Sequence, residues 1–394
     1  MATITSPLRV HRKATRQDTR TQNRRLVLQQ VFNDSNTTRA DIARATGLTP
    51  ATVSHLIAEL LDEGLVIETG TGSSAGGKPP TLLDLNAGAQ SLISIDLSDG
   101  TLTGSILDLR GTKTHLTAPP LAFGRGDIAV QQLFDAIDTL FAATSTPVLG
   151  LGIGTPGVVE SDGTVIEASN LGWRNIPLGR LLSDRYDVPV SVLNNSRAAA
   201  LAEYSFGGHD AENLVVVKIG NGIGAGIVID GRIHRGEDSA AGEIGHVVVD
   251  PDGPECFCGK FGCLETVAAI PSLMRTLGSR LPDTNSTPSE LLKRAAEEAG
   301  SGNTFVQTVL DDTGRNLAKV LSTTVAILDI HKVVITGLIA ALGQPFLAHL
   351  HGEIGQRVLP ALAGKLELTY GTTGGRAVRL GAAASVLNAQ LGVL

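Results

Sequence analysis

Cysteine is scarce in this chain: its 394 residues include three, Cys256, Cys258 and Cys263, all within one short stretch. An odd, clustered set excludes the disulfide framework of a small secreted domain and leaves the thiols free for a metal. Aromatics make up 3% of residues and Trp173 is the single Trp, so Leu, Val, Ile and Ala must build the core. No apolar run reaches the ~18 residues a membrane span needs, and the polar, basic N-terminus lacks the apolar centre of a secretion signal. No membrane partner is therefore expected, and free thiols suit the reducing cytoplasm. Positive charge is in deficit as well, 32 Lys and Arg against 39 Asp and Glu, for a net charge of −7. The deficit is uneven. Residues 1–25 carry seven basic side chains against Asp18 alone, and residues 1–90 carry ten against eight. A basic arm on an acidic body suggests a nucleic-acid contact at one end only. The length implies two or three domains, and 42% hydrophobic residues are enough for a large core.

What is present is densest between Glu243 and Glu265. That stretch reads Glu243-Ile244-Gly245-His246 and then Cys256-Phe257-Cys258-Gly259-Lys260-Phe261-Gly262-Cys263-Leu264-Glu265. His246 and the three thiols supply four nitrogen and sulfur ligands, the set that a closed, structural Zn2+ takes. The close Cys-x-Cys pair, with a third Cys behind a Gly-punctuated loop, lets a short segment wrap the ion. Glu243 and Glu265 flank these ligands, so the same staple would fix two carboxylates in space.

Along the chain, residues 1–20 are polar, charged and aperiodic, which predicts a disordered basic arm. Residues 21–86 predict a winged helix-turn-helix. Leu26, Val27, Leu28, Val31 and Phe32 form the apolar stripe of a first helix. Thr38-Arg39-Ala40-Asp41 has the form of a capping box, and the helix it starts, with Ile42, Ala43 and Ala45, stops at Gly47. Thr49-Pro50 restarts the chain with an N-cap and a Pro in the first turn. In the third helix Val53, Leu56, Ile57 and Leu60 face inward, while Thr49, Ala51, Thr52, Ser54 and His55 lie where a recognition helix meets base edges. Leu65–Glu68 and Thr81–Leu85 read as the strands of a wing around the loop 70–80, with Lys78 at its tip. Arg25 and Lys78 are the candidates for phosphate contacts, and operator DNA is the expected partner.

From Ser91 the pattern alternates between buried-type strands (92–97, 104–109, 148–153) and amphipathic helix (126–142), as an α/β domain requires. Glu-x-Gly-His followed by Cys-x-Cys-Gly-x-x-Gly-Cys-x-Glu resembles the signature of the ROK family of repressors, open reading frames and sugar kinases. The resemblance covers essentially the whole chain after residue 20, including the Gly76-Gly77-Lys78-Pro79-Pro80 end of the wing. It implies a two-lobed actin-like, ribonuclease-H-like sugar-binding domain over 90–394, with lobes at about 90–200 plus 379–394 and at 201–378. It also implies that Glu243, His246 and Glu265 meet the hydroxyls of a sugar, His246 using one ring nitrogen for the metal and one for the ligand. Gly154-Thr155-Pro156-Gly157 and Ala168-Ser169-Asn170 resemble segments that line the same pocket, making Gly157 and Asn170 candidates.

Two departures bear on chemistry. Family kinases carry Asn-Asp where this chain has Asn194-Asn195, and that Asp takes the proton from the sugar hydroxyl. An amide cannot serve as that base, although Asn194 and Asn195 can still hydrogen-bond a sugar. The first phosphate loop, Asp-x-Gly-Gly-Thr in the kinases, reads Asp96-Leu97-Ser98-Asp99-Gly100-Thr101, with an added carboxylate where phosphates would lie. Gly220-Asn221-Gly222-Ile223-Gly224-Ala225-Gly226 resembles the second phosphate loop and is read as a tight turn. The expectation is a non-enzymatic, sugar-responsive repressor acting as a homodimer or homotetramer. A working ATP-dependent sugar kinase with a DNA-binding appendage is the alternative, and a ligand-free DNA-tethered scaffold the third reading.

Overall fold

Caps set the start of nearly every N-terminal element. In this computed structural model, which describes residues 15–73, 79–116, 121–122, 124–281 and 286–394, the first helix α1 spans Arg16–Asn33. Disorder through residue 20 was the expectation, and the arm up to residue 14 lies outside the described residues. Residues 16–20 are helical because Thr15 and Asp18 close a capping box. The Thr15 hydroxyl accepts from Asp18 N at 3.1 Å and the Asp18 carboxylate from Thr15 N at 2.8 Å. Arg20 and Arg24 then pair with Glu59 of the third helix and with Glu63 at its C-terminal cap.

Strand β1 (Thr37–Thr38) leads into α2 (Arg39–Thr46), whose capping box is Thr38 with Asp41 and whose end is Gly47 at φ +69°. Helix α3 spans Pro50–Asp62 and buries Val53, Leu56, Ile57 and Leu60, each worth about 1.5–3 kcal/mol of apolar transfer. Val27, Leu28, Val31 and Phe32 meet them from α1, whereas Leu26, expected in the same stripe, is on the outer face. Strands β2 (Val66–Thr71) and β3 (Thr81–Leu85) pair antiparallel as the wing. β1 adds a third strand on the other side of β3, through two residues too short to read in advance. The wing tip, residues 74–78 with Lys78, lies outside the described residues.

The chain forms two units, Met1–Ala89 with Leu387–Leu394, and Gln90–Val386. It crosses between them at Ala89/Gln90 and at Val386/Leu387, so the last eight residues group with the N-terminal unit. Only the preceding part of the end of the chain, once expected wholly in the first lobe, stays in the larger unit.

The larger unit is built twice from one strand order. Its first sheet uses β4 (Ser91–Ser98), β5 (Thr101–Leu107), β6 (Lys113–Leu116), β7 (Leu121–Ala122), β8 (Val148–Thr155) and β12 (Val190–Asn194). Between these lie α4 (Asp127–Ala143), the small sheet β9 (Val158–Val159), β10 (Val165–Ala168) and β11 (Trp173–Ile176), and α5 (Leu178–Tyr186). The order is β12-β8-β4-β5-β6, with β7 on β5. After α6 (Asn195–Phe206), the second sheet takes β13 (Leu214–Ile219), β14 (Ile223–Ile229) and β15 (Arg232–His234). Helices α7 (Leu264–Ala268), α8 (Ile270–Gly278), α9 (Pro288–Gly300) and α10 (Thr304–Leu328) precede β16 (Lys332–Thr336). Helices α11 (Gly343–Gly355) and α12 (Pro360–Ala363), strand β17 (Glu367–Tyr370) and helix α13 (Ala377–Leu391) complete the chain.

The second order, β15-β14-β13-β16-β17, repeats the first: each second strand is antiparallel to its first strand and the fourth is parallel to it. Ile93, Ile95, Leu151 and Ile153 on the inner strands are fully buried, the apolar run that a sheet covered on both faces demands. Trp173 is buried with them in the first lobe and donates from Nε1 to Gly126 O at 3.1 Å, so it packs the core. This is the two-lobed actin-like architecture.

Candidate functional site

The cysteine stretch folds as a knuckle. A turn of 3-10 helix, Ile244–His246, presents His246, and a tight loop in which Gly259 N donates to Cys256 O at 2.9 Å returns the chain to Cys263. The ligand atoms of His246, Cys256, Cys258 and Cys263 all lie within 4.8 Å of one another. Cys256 Sγ is 3.5 Å from His246 Nδ1, and Cys258 Sγ is 3.6 Å from Cys263 Sγ. Tetrahedral zinc with bonds of about 2.3 Å needs sulfur atoms about 3.8 Å apart, so the set fits that ion. Burial, with two thiols beside it, pushes the Cys263 thiol up to about 12, and burial likewise raises Cys256. For Cys258 burial is outweighed by hydrogen bonds from Lys260 N and the other thiols and by His246, which bring it down to about 7. A cation at the centre is what would hold all three as thiolates.

Glu243 precedes this knuckle and Glu265 follows it, the latter in the first turn of α7. Burial raises the Glu243 carboxyl above its ordinary value; His246 and Arg197 oppose the rise and Glu265 adds to it. The two carboxylates therefore share one electrostatic environment. Glu265 Oε2 accepts from Ile223 N at 3.1 Å, at the tip of the β13–β14 hairpin.

Asn194 ends β12 and caps α6: its Oδ1 accepts from Ser196 N at 2.8 Å and Arg197 N at 3.3 Å. Its Nδ2 donates to Gly157 O at 2.9 Å and Glu243 Oε1 at 3.2 Å. Gly157 has φ +88°, and a Cβ there would sit 2.0 Å from Glu167 O, so the position tolerates only glycine. Asn195 is buried; it donates to Leu97 O at 3.1 Å, and its Oδ1 has no partner among the described residues. The structure thus gathers Gly157, Asn194, Glu243, His246 and Glu265, with Asn195 one residue beyond. Asn170 is exposed on the loop after β10, apart from this hydrogen-bonded group.

Arg197 was not singled out from the sequence. It is 1% exposed, donates to Ser239 O at 2.7 Å and Val159 O at 3.3 Å, and acts electrostatically on Glu243. Burial lowers its guanidinium to about 10. The only signal was an arginine immediately before the alanine run Ala198-Ala199-Ala200, between Ser196 and Ala198, in an otherwise small-residue stretch. A cavity of about 460 Å³ beside the knuckle is lined mostly by apolar side chains, among them Ile227, Val247, Val248 and Ile327, with Lys319, Thr323 and Thr324 as its polar residues.

On α3, Ala51, Ser54 and His55 are exposed and Thr52 is half-buried. Thr49 Oγ1 accepts from Thr52 N at 3.2 Å and lies 2.9 Å from Thr52 Oγ1, so both hydroxyls already serve the cap. His55 Nε2 is 3.2 Å from Glu59 Oε1. Arg25 is exposed on α1, and its aliphatic carbons lie against Gly392.

Comparison with known proteins is consistent across the chain. The ROK family profile matches residues 124–389, and a winged helix-turn-helix DNA-binding profile matches residues 20–67. The xylose repressor of Caldicellulosiruptor bescii is 31% identical over 387 residues, covering 94% of this chain and 96% of its own. The DNA-binding transcriptional dual regulator NagC of Escherichia coli is 29% identical over 366 residues, 90% of this chain and 89% of its own. Among solved structures, a ROK family transcriptional regulator homologous to the E. coli Mlc protein aligns at TM-score 0.81 and 27% identity, covering 95% of this chain and 98% of that one. A ROK family glucokinase from Streptomyces griseus, in complex with glucose and AMPPNP, aligns at TM-score 0.64 and 26% identity over 74% of this chain and 98% of that one. With the family profile spanning most of the two-lobed unit and the winged-helix profile ahead of it, this chain belongs to the ROK family.

Proposed function

We propose that this chain is a sugar-responsive transcriptional repressor, bound to operator DNA through α3 and the wing and released when a sugar occupies the cleft beside the knuckle. The observation that carries the reading is the hydrogen-bonded group Gly157–Asn194–Glu243, with Glu265 beside it. These are donors and acceptors matched to hydroxyls, in a site where Asn195 stands at the position a catalytic carboxylate would need. An amide there can bind a hydroxyl but cannot take its proton at neutral pH. Its free Oδ1 is an acceptor that a ligand hydroxyl could satisfy. Four relatives or neighbours of high coverage are named repressors or regulators, which supports the same reading.

His246, Cys256, Cys258 and Cys263 would hold a structural Zn2+, which supplies no reaction chemistry and instead fixes the spacing of Glu243 and Glu265. Binding to two half-sites requires two readers, so a homodimer or homotetramer follows from the same proposal. The test is a thermal-shift panel of pentoses, hexoses, N-acetylhexosamines and their phosphates, run with an ATP-consumption assay on every hit. A saturating sugar at about 100 times its Kd stabilises the fold by about 2.7 kcal/mol. Stabilisation without ATP turnover is expected. ATP turnover abolished by Asn195→Ala would instead make the chain a sugar kinase with a DNA-binding appendage.

A further inference from the structure

Two hairpins of the larger unit meet between its sheets. The β4–β5 turn carries Asp99 at φ +54° and Gly100 at φ +76°, the left-handed pair of a tight hairpin. The β13–β14 turn is Gly220-Asn221-Gly222. Asp99 Oδ1 accepts from Asn221 N at 2.7 Å, and Asp99 Oδ2 lies 3.3 Å from Lys218 Nζ. The carboxylate sits so close to Gly220 that a Cβ there would be 2.4 Å from Oδ1. The ion pair is largely shielded, with side-chain exposures of 28% for Asp99 and 13% for Lys218.

The receiving surface has the chemistry of an anion cradle: a backbone N–H, an ammonium, and a glycine that leaves room for the charge. On the far side the same hairpin tip meets a second carboxylate. Ile223 N donates to Glu265 Oε2, and a Cβ on Gly222 would lie 2.6 Å from that oxygen. Four consecutive residues, Gly220 to Ile223, are therefore gripped by Asp99 from the first sheet and by Glu265 from the zinc-site side.

We propose that Asp99 is a positioning residue for the sugar site: it occupies the anion cradle of the β13–β14 hairpin, and by fixing that hairpin tip it holds Glu265 where a sugar hydroxyl meets it. The chain supplies its own anion, so the two sheets are held together without any bound phosphate. The cost of ordering the hairpin is met before the ligand arrives, which raises the ligand's affinity.

The inference rests on the sugar reading, and the experiment separates the two. The wild type and the variants Asp99→Ala, Asp99→Asn, Lys218→Met and Asp99→Ala/Lys218→Met are titrated calorimetrically with the sugar that gives the largest thermal shift in the panel. Asp99→Ala should raise Kd about tenfold, equivalent to about 1.4 kcal/mol, and the double variant should be no worse, because both changes empty one cradle. Millimolar inorganic phosphate should recover affinity in Asp99→Ala and not in the double variant, a rescue that a merely structural role would not show. Asp99→Asn keeps the turn and the Asn221 bond, so it should fold as the wild type and lose less. A Kd within twofold of wild type in Asp99→Ala, additive losses, or no effect of phosphate would overturn the inference. If no sugar binds the wild type, the sugar reading itself falls.

Discussion

Glu203 should be among the most costly side chains to remove, although it touches neither the cleft nor the DNA reader. It is fully buried on α6 and accepts from Thr372 N at 3.1 Å and Thr373 N at 3.0 Å, at the turn between β17 and α13. The Thr373 hydroxyl donates to it as well, and His209 Nε2 lies 2.9 Å away, itself almost buried. Glu203→Ala strands that histidine and both backbone donors. Breaking a buried pair by removing one partner costs about 3–5 kcal/mol. A unit of this length loses about 2 °C of melting temperature per kcal/mol, so a drop of roughly 6–10 °C is expected. Glu203→Gln keeps the shape but turns an amide NH2 toward a donor, at about 1–3 kcal/mol.

The carboxyl also predicts a pH dependence. Burial pushes its pKa up, but the bonds from Thr373, His209 and Thr372 outweigh burial and hold it below the ordinary value. A depressed carboxylate contributes stability that is complete above its unfolded value, about 4.3, and is lost as the pH falls through the folded one. Glu203→Gln should flatten that acid limb. Differential scanning calorimetry of the full chain across pH 3–8 reads both effects; about 2 °C or less of change in Glu203→Ala would refute the reasoning.

Zinc should co-purify at one ion per chain, and Cys258→Ser should lose both the metal and the sugar-induced thermal shift, because Glu243 and Glu265 hang from that loop. Zinc-free protein prepared without chelator would contradict this. Operator binding should map to the N-terminal unit and weaken steeply with salt as counterions are released. Ser54→Ala or His55→Ala should change base preference by about 1–3 kcal/mol, whereas Lys78→Ala or Arg25→Ala should weaken all sequences alike. Binding-site selection on a randomised operator distinguishes the two patterns.

Signals that act within a few residues were legible in the sequence. Thr38 with Asp41, Gly47, and Thr49-Pro50 mark helix ends by local chemistry, and the structure has helices where they point. The Cys-x-Cys knuckle was equally plain because soft ligands at that spacing have few other uses. Helix α1 began five residues earlier than expected, since residues 16–25 hold no apolar residue to show a period and only the Thr15–Asp18 box announces the start. What stayed hidden depends on partners far along the chain. Asp99 reads as an intrusion into a phosphate loop until its partners, Lys218 and Asn221, are seen about 120 residues away. Glu203 reads as the polar end of an alanine-rich helix until the turn at Thr372 and Thr373 closes on it. Asn194 was expected only as a sugar ligand, and the structure has its oxygen capping α6, a role that a one-dimensional motif does not display.

The central claim is that sugar occupancy and operator affinity are coupled, and one titration tests it directly. Operator DNA is titrated with the full chain, with and without the saturating sugar, in the wild type and in Glu243→Ala. Coupling of about 1–3 kcal/mol is expected, so the sugar should weaken operator binding by about 5–150-fold in the wild type and leave Glu243→Ala unchanged. An operator affinity that does not move at saturating sugar would contradict the account, and a shift that survives in Glu243→Ala would place the sugar somewhere other than this cleft.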